Sequence, residues 1–152
     1  MSSTFRSVAA ASLLAWAAAL AAVVVQPSTA AGAAVQRSTN DGVYSKVQAD
    51  GAKAQFEKIC ADCHPFTEAG KKKPKDVPLG GDTFFENWTG RPLGELATTI
   101  ALTMPNDGSA VVSEEEALNL VAFILQKNGF RAGAKPLDKA GEDAVIARPA
   151  KK

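Results

Sequence analysis

The chain is poor in the residues from which most active sites are built: its 152 residues include one His, two Cys, two Met and one Tyr. A structural zinc site needs four ligands, and with so few His and Cys nothing is left to complete one. An excess of charge of one sign is also missing. The 17 basic and 16 acidic side chains give a net charge of +1, which offers no electrostatic reason to expect a nucleic-acid partner. An apolar content of 46% excludes a disordered tail, and the length and composition exclude a collagen-like repeat and a multi-domain enzyme. There are no internal repeats, and no stretch alternates apolar and polar residues as a half-buried strand does. The expected fold class is all-α.

The amino terminus has the order of a secretory signal peptide. Arg6 is its one charged side chain, Val8 to Val25 is an uncharged run dominated by Ala, Val and Leu, and Ser28-Thr29-Ala30-Ala31 is a small-residue cleavage stretch. Cleavage after Ala30 removes Arg6 and leaves equal numbers of basic and acidic side chains. The alternative is a retained membrane anchor, because the run sits at the lower limit of length for spanning a bilayer. The chain therefore divides into a signal peptide (1–30), a small polar linker (31–43), a folded domain (44–133) and a carboxy-terminal extension (134–152). The extension mixes Gly, Pro, Lys and Ala around one late aliphatic pair, Val145 and Ile146, and either wraps the body or stays mobile.

Export sends two Cys to an oxidising compartment, where one disulfide is the ordinary expectation. Their spacing argues otherwise. Cys60-Ala61-Asp62-Cys63-His64 is the haem c attachment sequence, with two thiols one helical turn apart, each adding to a vinyl group of one porphyrin, and a His placed to face the iron. His64 is the only His in the chain. A redox-active Cys pair of the thioredoxin kind needs a preceding strand, whereas Ser45 to Ile59 reads as a helix. The reading is one haem c, covalent through Cys60 and Cys63, with His64 as an axial ligand.

The sixth ligand follows by elimination. With His64 used and Met1 removed, the remaining soft donor is Met104. Pro105 follows it, and a residue before Pro is pushed from helical to extended geometry. Pro92 to Thr103 reads as a helix with Leu93, Leu96 and Ile100 on one face, so Met104 stands where that helix ends. The alternative for a lone Met is gap filling in the core. His/Met ligation raises the reduction potential.

A third helix is marked by the capping-box sequence Ser113-Glu114-Glu115-Glu116, continues through Ala117 to Leu125 and stops at Gly129. Its apolar run is rich enough to be buried over most of its circumference.

From Tyr44 to Gly133 the sequence resembles a class I cytochrome c of the bacterial periplasmic kind. The matching stretches are Gln48-Ala49, Phe56 through His64, Leu79 through Phe84 with Trp88, Met104-Pro105, Ala122 through Leu125, and Asn128-Gly129-Phe130. The later stretches resemble cytochromes that work beside periplasmic quinoprotein dehydrogenases. The resemblance implies about three main helices packed around one covalently attached haem. It also implies a crossing of the first and last helices at the aromatic pair Phe56 and Phe123. Relatives favour Gly eight residues before the first Cys; here that position is Ala52, with Gly51 displaced by one, which implies a slightly wider crossing. They often have Gly after the haem His, where this chain has Pro65. They commonly use a Pro carbonyl to accept from the second nitrogen of that His, and Pro78 is the nearest candidate.

By the same analogy, Trp88 and Arg91 are the polar-tipped residues expected to meet the haem propionates, which need donors when buried beside apolar rings. The alternative is a core Trp and a solvated Arg. Lys71-Lys72-Lys73-Pro74-Lys75 is either a solvated loop or a patch steering an acidic partner. Asp107 and Glu114 to Glu116 give the Met104 side the opposite sign.

The implied function is one-electron transfer with no substrate turnover. Electrons would come from a periplasmic dehydrogenase and pass to a terminal oxidase or another cytochrome, with a membrane involved only if the signal segment is retained. One alternative is a dedicated electron-transfer subunit of a dehydrogenase complex. The other is a haem sensor or peroxidase with a labile sixth ligand, disfavoured by Met104-Pro105 and by the lack of a distal His.

Overall fold

A computed structural model of the chain describes residues 36–149. The segment read as a signal peptide lies outside the described residues, as do the first part of the linker and the last three residues of the chain. Among the described residues there are four α-helices and no strand longer than an isolated bridge. None of these helices is long and apolar enough to cross a membrane.

Helix α1, Lys46–Ile59, starts where the Ser45 hydroxyl accepts from the Gln48 amide, satisfying one of the amides that a helix start leaves free. Its buried residues, Ala49, Ala52 and Phe56, fall at three- and four-residue spacing and form one stripe. Helix α4, Glu114–Lys127, begins with the expected capping box, in which Ser113 caps the Glu116 amide and the Glu116 carboxylate accepts from the Ser113 amide. Ala117, Leu118 and every residue from Leu120 to Leu125 are buried, as that apolar run requires. The two helices pack on each other, and Phe56 meets Phe123 with ring centroids 5.1 Å apart. Phe66, from the loop after the Cys pair, stacks on Phe56 at 5.0 Å and sets its edge against Phe123 at 5.9 Å, completing an aromatic trio. Ala52 lies in the buried stripe, while a Cβ on Gly51 would meet nothing within 4 Å. The small residue at the crossing is therefore Ala52, and Gly51 faces outward.

Helix α3, Leu93–Thr103, packs on α4 with Leu93, Leu96, Ala97 and Ile100 buried. One further helix, α2 (Gly81–Trp88), brings the number of helices to four, against the three main ones expected. It is eight residues long, has no side-chain cap, and its first residue, Gly81, has a φ of +64°. An element this short shows little more than two turns of periodicity, and its Gly-Gly start reads as a turn. The second of its structural glycines is required: a Cβ on Gly80 would collide with the Phe66 carbonyl, so the chain enters α2 through a close backbone approach.

The linker reading is corrected from Arg37 onward, and of the two alternatives for the extension the structure shows the wrapping one, so that both segments belong to the packed body. Thr39 is fully buried, its amide donates to the Val145 carbonyl at 3.0 Å, and the Val145 amide donates to Arg37 at 2.9 Å. Leu137, Ala144 and Ile146 join the core. The carboxy-terminal strap then crosses the turn between α2 and α3. Ile146 exchanges bonds with Gly90 and Arg91 (2.8 and 2.9 Å), and the amides of Leu93 and Gly94 donate to Ala144 and Glu142, each at 2.9 Å. Backbone pairing of this sort leaves no periodic trace in a sequence.

Candidate haem site

Helix α1 delivers the motif. Cys60 caps its end, and the amides of Cys63 and His64 both donate to the Cys60 carbonyl, at 3.1 and 2.9 Å. That single tight turn places the two thiols and the imidazole together. Neither Cys is in a disulfide; Cys60 is half-buried and Cys63 exposed. Burial pushes the Cys60 thiol up to about 11, so it is protonated at neutral pH.

His64 Nδ1 lies 2.9 Å from the Val77 carbonyl oxygen. The acceptor is thus Val77 and not Pro78, one residue earlier than expected. Pro78 has a different role: its ring Cδ crowds the preceding residue and holds it out of helical geometry, and the ring itself is buried. With Nδ1–H donating to Val77, the lone pair of Nε2 is the one available to a metal.

Met104 caps α3 in an extended conformation, φ −119° and ψ 145°, as the following Pro requires, and the Met104-Pro105 peptide is cis. Its side chain lines the same cavity as Cys60 and His64. This cavity has a volume of about 170 Å³, and its other walls include Phe56, Leu79, Trp88, Leu96, Ile100 and Ile124. Cys63 joins Cys60, His64 and Met104 at a second, more polar pocket, with Lys58, Asp62, Asn106 and Asp107 around it. The four motif residues, separated by up to 44 positions, therefore converge on two pockets that share Cys60, His64 and Met104.

Trp88 is half-buried on the cavity wall, and among the described residues its indole N–H donates to no acceptor. Arg91 does not line the cavity. Its guanidinium lies over the Trp88 ring, 4.4 Å from the centroid, and Nε donates to Glu95 at 2.6 Å. Of the pair, only Trp88 lines the cavity, and Arg91 meets it by stacking on the Trp88 ring. Sequence reasoning also passed over Thr99, a cavity residue whose hydroxyl donates to the Glu95 carbonyl at 2.8 Å and so leaves the wall largely apolar. Among the described residues no group of three His, Cys, Asp or Glu side chains is placed to hold a metal ion by itself.

The family model described as Cytochrome C oxidase, cbb3-type, subunit III matches residues 47–124, just over half of the chain and every element from α1 to most of α4. The chain belongs to that family. No curated protein and no solved structure matches it. It carries a c-type cytochrome domain of the class I, all-α kind, and such a domain serves electron transfer through haem.

The residues of this cytochrome domain fit the group. A flat macrocycle needs a dry slot, which the Phe, Leu and Ile walls supply; its iron needs a neutral imidazole nitrogen, which the bond to Val77 leaves at Nε2; its vinyl carbons need two thiols at one edge. An acidic periphery needs a donor, and the Trp88 indole has one to give.

Proposed function

We propose that this protein is a periplasmic one-electron carrier whose haem c is attached through Cys60 and Cys63 and ligated by His64 and Met104. The single observation that carries the reading is the shared lining of one apolar cavity by Cys60, His64 and Met104, residues brought together from two ends of the domain. When bound, the haem supplies the iron that alternates between ferric and ferrous states. The chain's own residues do the rest. His64 is oriented by Val77, the apolar walls exclude water, and Met104 is presented by the end of α3, where its thioether favours the ferrous state and raises the potential. The electron donor is a dehydrogenase of the same compartment, and the acceptor is a terminal oxidase or another cytochrome.

The test is the absorption spectrum of protein exported together with its haem-attachment machinery. The expected result is a c-type α band, together with the weak near-infrared band of sulfur ligation to ferric haem. Met104→Ala abolishes the second band and keeps the first. A wild-type protein with haem but without the sulfur band overturns the ligation and turns attention to a sensor or peroxidase.

The family description favours a second reading, in which the domain is a fixed subunit of a respiratory complex and not a free shuttle. Co-elution with a catalytic partner at near-equal amounts separates the two.

A further inference from the structure

Among the described residues Asp76 is the one buried charged side chain, 3% exposed, at the end of a loop of solvated lysines and one Pro. Its Oδ2 accepts from the amides of Lys72 and Lys73, at 2.8 and 2.9 Å. Its Oδ1 is buried and has no partner, the only such side-chain atom among the described residues. The Asp76 amide donates back to the Lys73 carbonyl at 3.1 Å, closing a tight turn over residues 72–76.

Burying a carboxylate with one oxygen unsatisfied is costly, and an apolar or exposed residue in a simple surface loop avoids that cost. The position of the turn explains its retention. The next residue is Val77, whose carbonyl accepts from His64 Nδ1 at 2.9 Å and whose amide donates to the Cys63 carbonyl at 3.0 Å. Beyond it, Pro78 is buried and the Leu79 amide donates to the Pro65 carbonyl at 2.8 Å. Val77 is therefore tied on its downstream side by Leu79. On its upstream side the chain is five consecutive exposed residues: Lys71 is tied back to Glu68, and the stretch from Lys72 to Val77 is held by the Asp76 turn.

We propose that Asp76 is a positioning residue for the axial histidine, its carboxylate folding the lysine loop so that the Val77 carbonyl stays in line with His64 Nδ1. This rests on the carrier reading above. The strength of that hydrogen bond sets the basicity of the imidazole, and a more basic imidazole favours ferric iron and lowers the reduction potential. Asp76 does not itself line the cavity and makes no hydrogen bond to the imidazole, so it acts through its neighbour Val77, which does both.

The test is made on haem-loaded protein with two readouts that a merely structural residue leaves alone: the reduction potential, and the exchange rate of the His64 Nδ1 proton measured by NMR in the ferrous state. Asp76→Ala is expected to raise the potential and speed that exchange while the haem stays attached. Asp76→Asn, which keeps an oxygen acceptor for the two amides, is expected to restore the slow exchange. An Asp76→Ala protein with both quantities at wild-type values and only a lowered melting temperature overturns the assignment. Where Asp76→Ala yields no holoprotein, Asp76→Ser takes its place, since its single short hydroxyl is a poor substitute for the carboxylate, and wild-type values in it overturn the assignment equally. Failure of the wild-type protein to take up haem or to show sulfur ligation counts against the carrier reading instead, and is visible before any Asp76 variant is made.

Discussion

Phe56 of α1 and Phe123 of α4 meet at 5.1 Å with their ring planes inclined by 51°, and the Phe66 ring touches both. The contact joins the helix that carries the Cys pair to the helix that forms the floor of the domain. Phe56 is also a wall of the apolar cavity. Removing the partner ring acts on stability first. Phe123→Ala is expected to cost about 3–5 kcal/mol, the range for emptying a buried aromatic site, read from denaturant unfolding of the holoprotein. A loss below about 1 kcal/mol means that the neighbouring rings collapse into the space.

Trp88 lines the cavity, and among the described residues its indole N–H has no hydrogen-bond acceptor. Trp88→Phe keeps the ring and deletes the donor, so the reduction potential and its pH dependence are expected to shift together. Arg91→Ala, which removes only the cation stacked outside the ring, is expected to shift them less. Identical potential-versus-pH curves for Trp88→Phe and wild type would mean that the indole does not reach an ionisable group of the cofactor.

Lys72, Lys73 and Lys75 are exposed and have no salt-bridge partner among the described residues, whereas Lys71 pairs with Glu68 at 3.5 Å. Unpaired surface cations attract an acidic partner over a Debye length of about 10 Å at 0.1 M salt. Electron-transfer rates with such a partner are expected to fall as salt rises. Lys75→Glu is expected to lower the rate at low salt with little effect at high salt. A rate independent of ionic strength leaves the loop merely solvated.

Several carboxylates are held below their usual range by hydrogen bonds. For Glu116 the first cause is the Ser113 amide, and for Asp50 it is the Lys46 ammonium followed by Gln126. A carboxyl that loses its proton more readily when folded contributes stability that is present above its unfolded pKa. That contribution is lost as pH falls through the lowered folded value. The melting temperature is therefore expected to hold steady from neutral pH down to about pH 4, the ordinary carboxylate range, and to drop below it. Glu116→Gln is expected to flatten part of that drop; a slope unchanged by the substitution assigns the acid loss to other groups.

How much of this was legible in the sequence depends on the range of the interaction concerned. Ser113 and Gly129 announced the two ends of α4 through local chemistry, and each stands where expected. Met104 was extended because its neighbour is Pro105, again a local matter. The acceptor for His64 was missed by one residue because the choice between Val77 and Pro78 depends on how the lysine loop folds. That fold rests on a buried Asp76 whose charge suggested a surface position. Helix α2 escaped because its start is made by a close backbone approach between Gly80 and Phe66, which no pattern of side chains records. Val145 and Ile146 did hint at a docked carboxy-terminal segment, but not at which turn they would pair with.

The carboxy-terminal strap has a consequence for the order in which the domain assembles. The bonds between Thr39 and Ala147 join residues 108 positions apart, whereas the Cys60–His64 turn and the helices are made from near neighbours. Closing so long a loop loses chain entropy before any contact repays it, so short-range structure has the kinetic advantage. The turn behind Trp88 is braced by a second long-range pairing of the same strap, in which Ala144 and Ile146 hold it through their backbones. Docking of the strap is thus expected to be a late step, and it is the one that backs the Trp88 wall of the cavity.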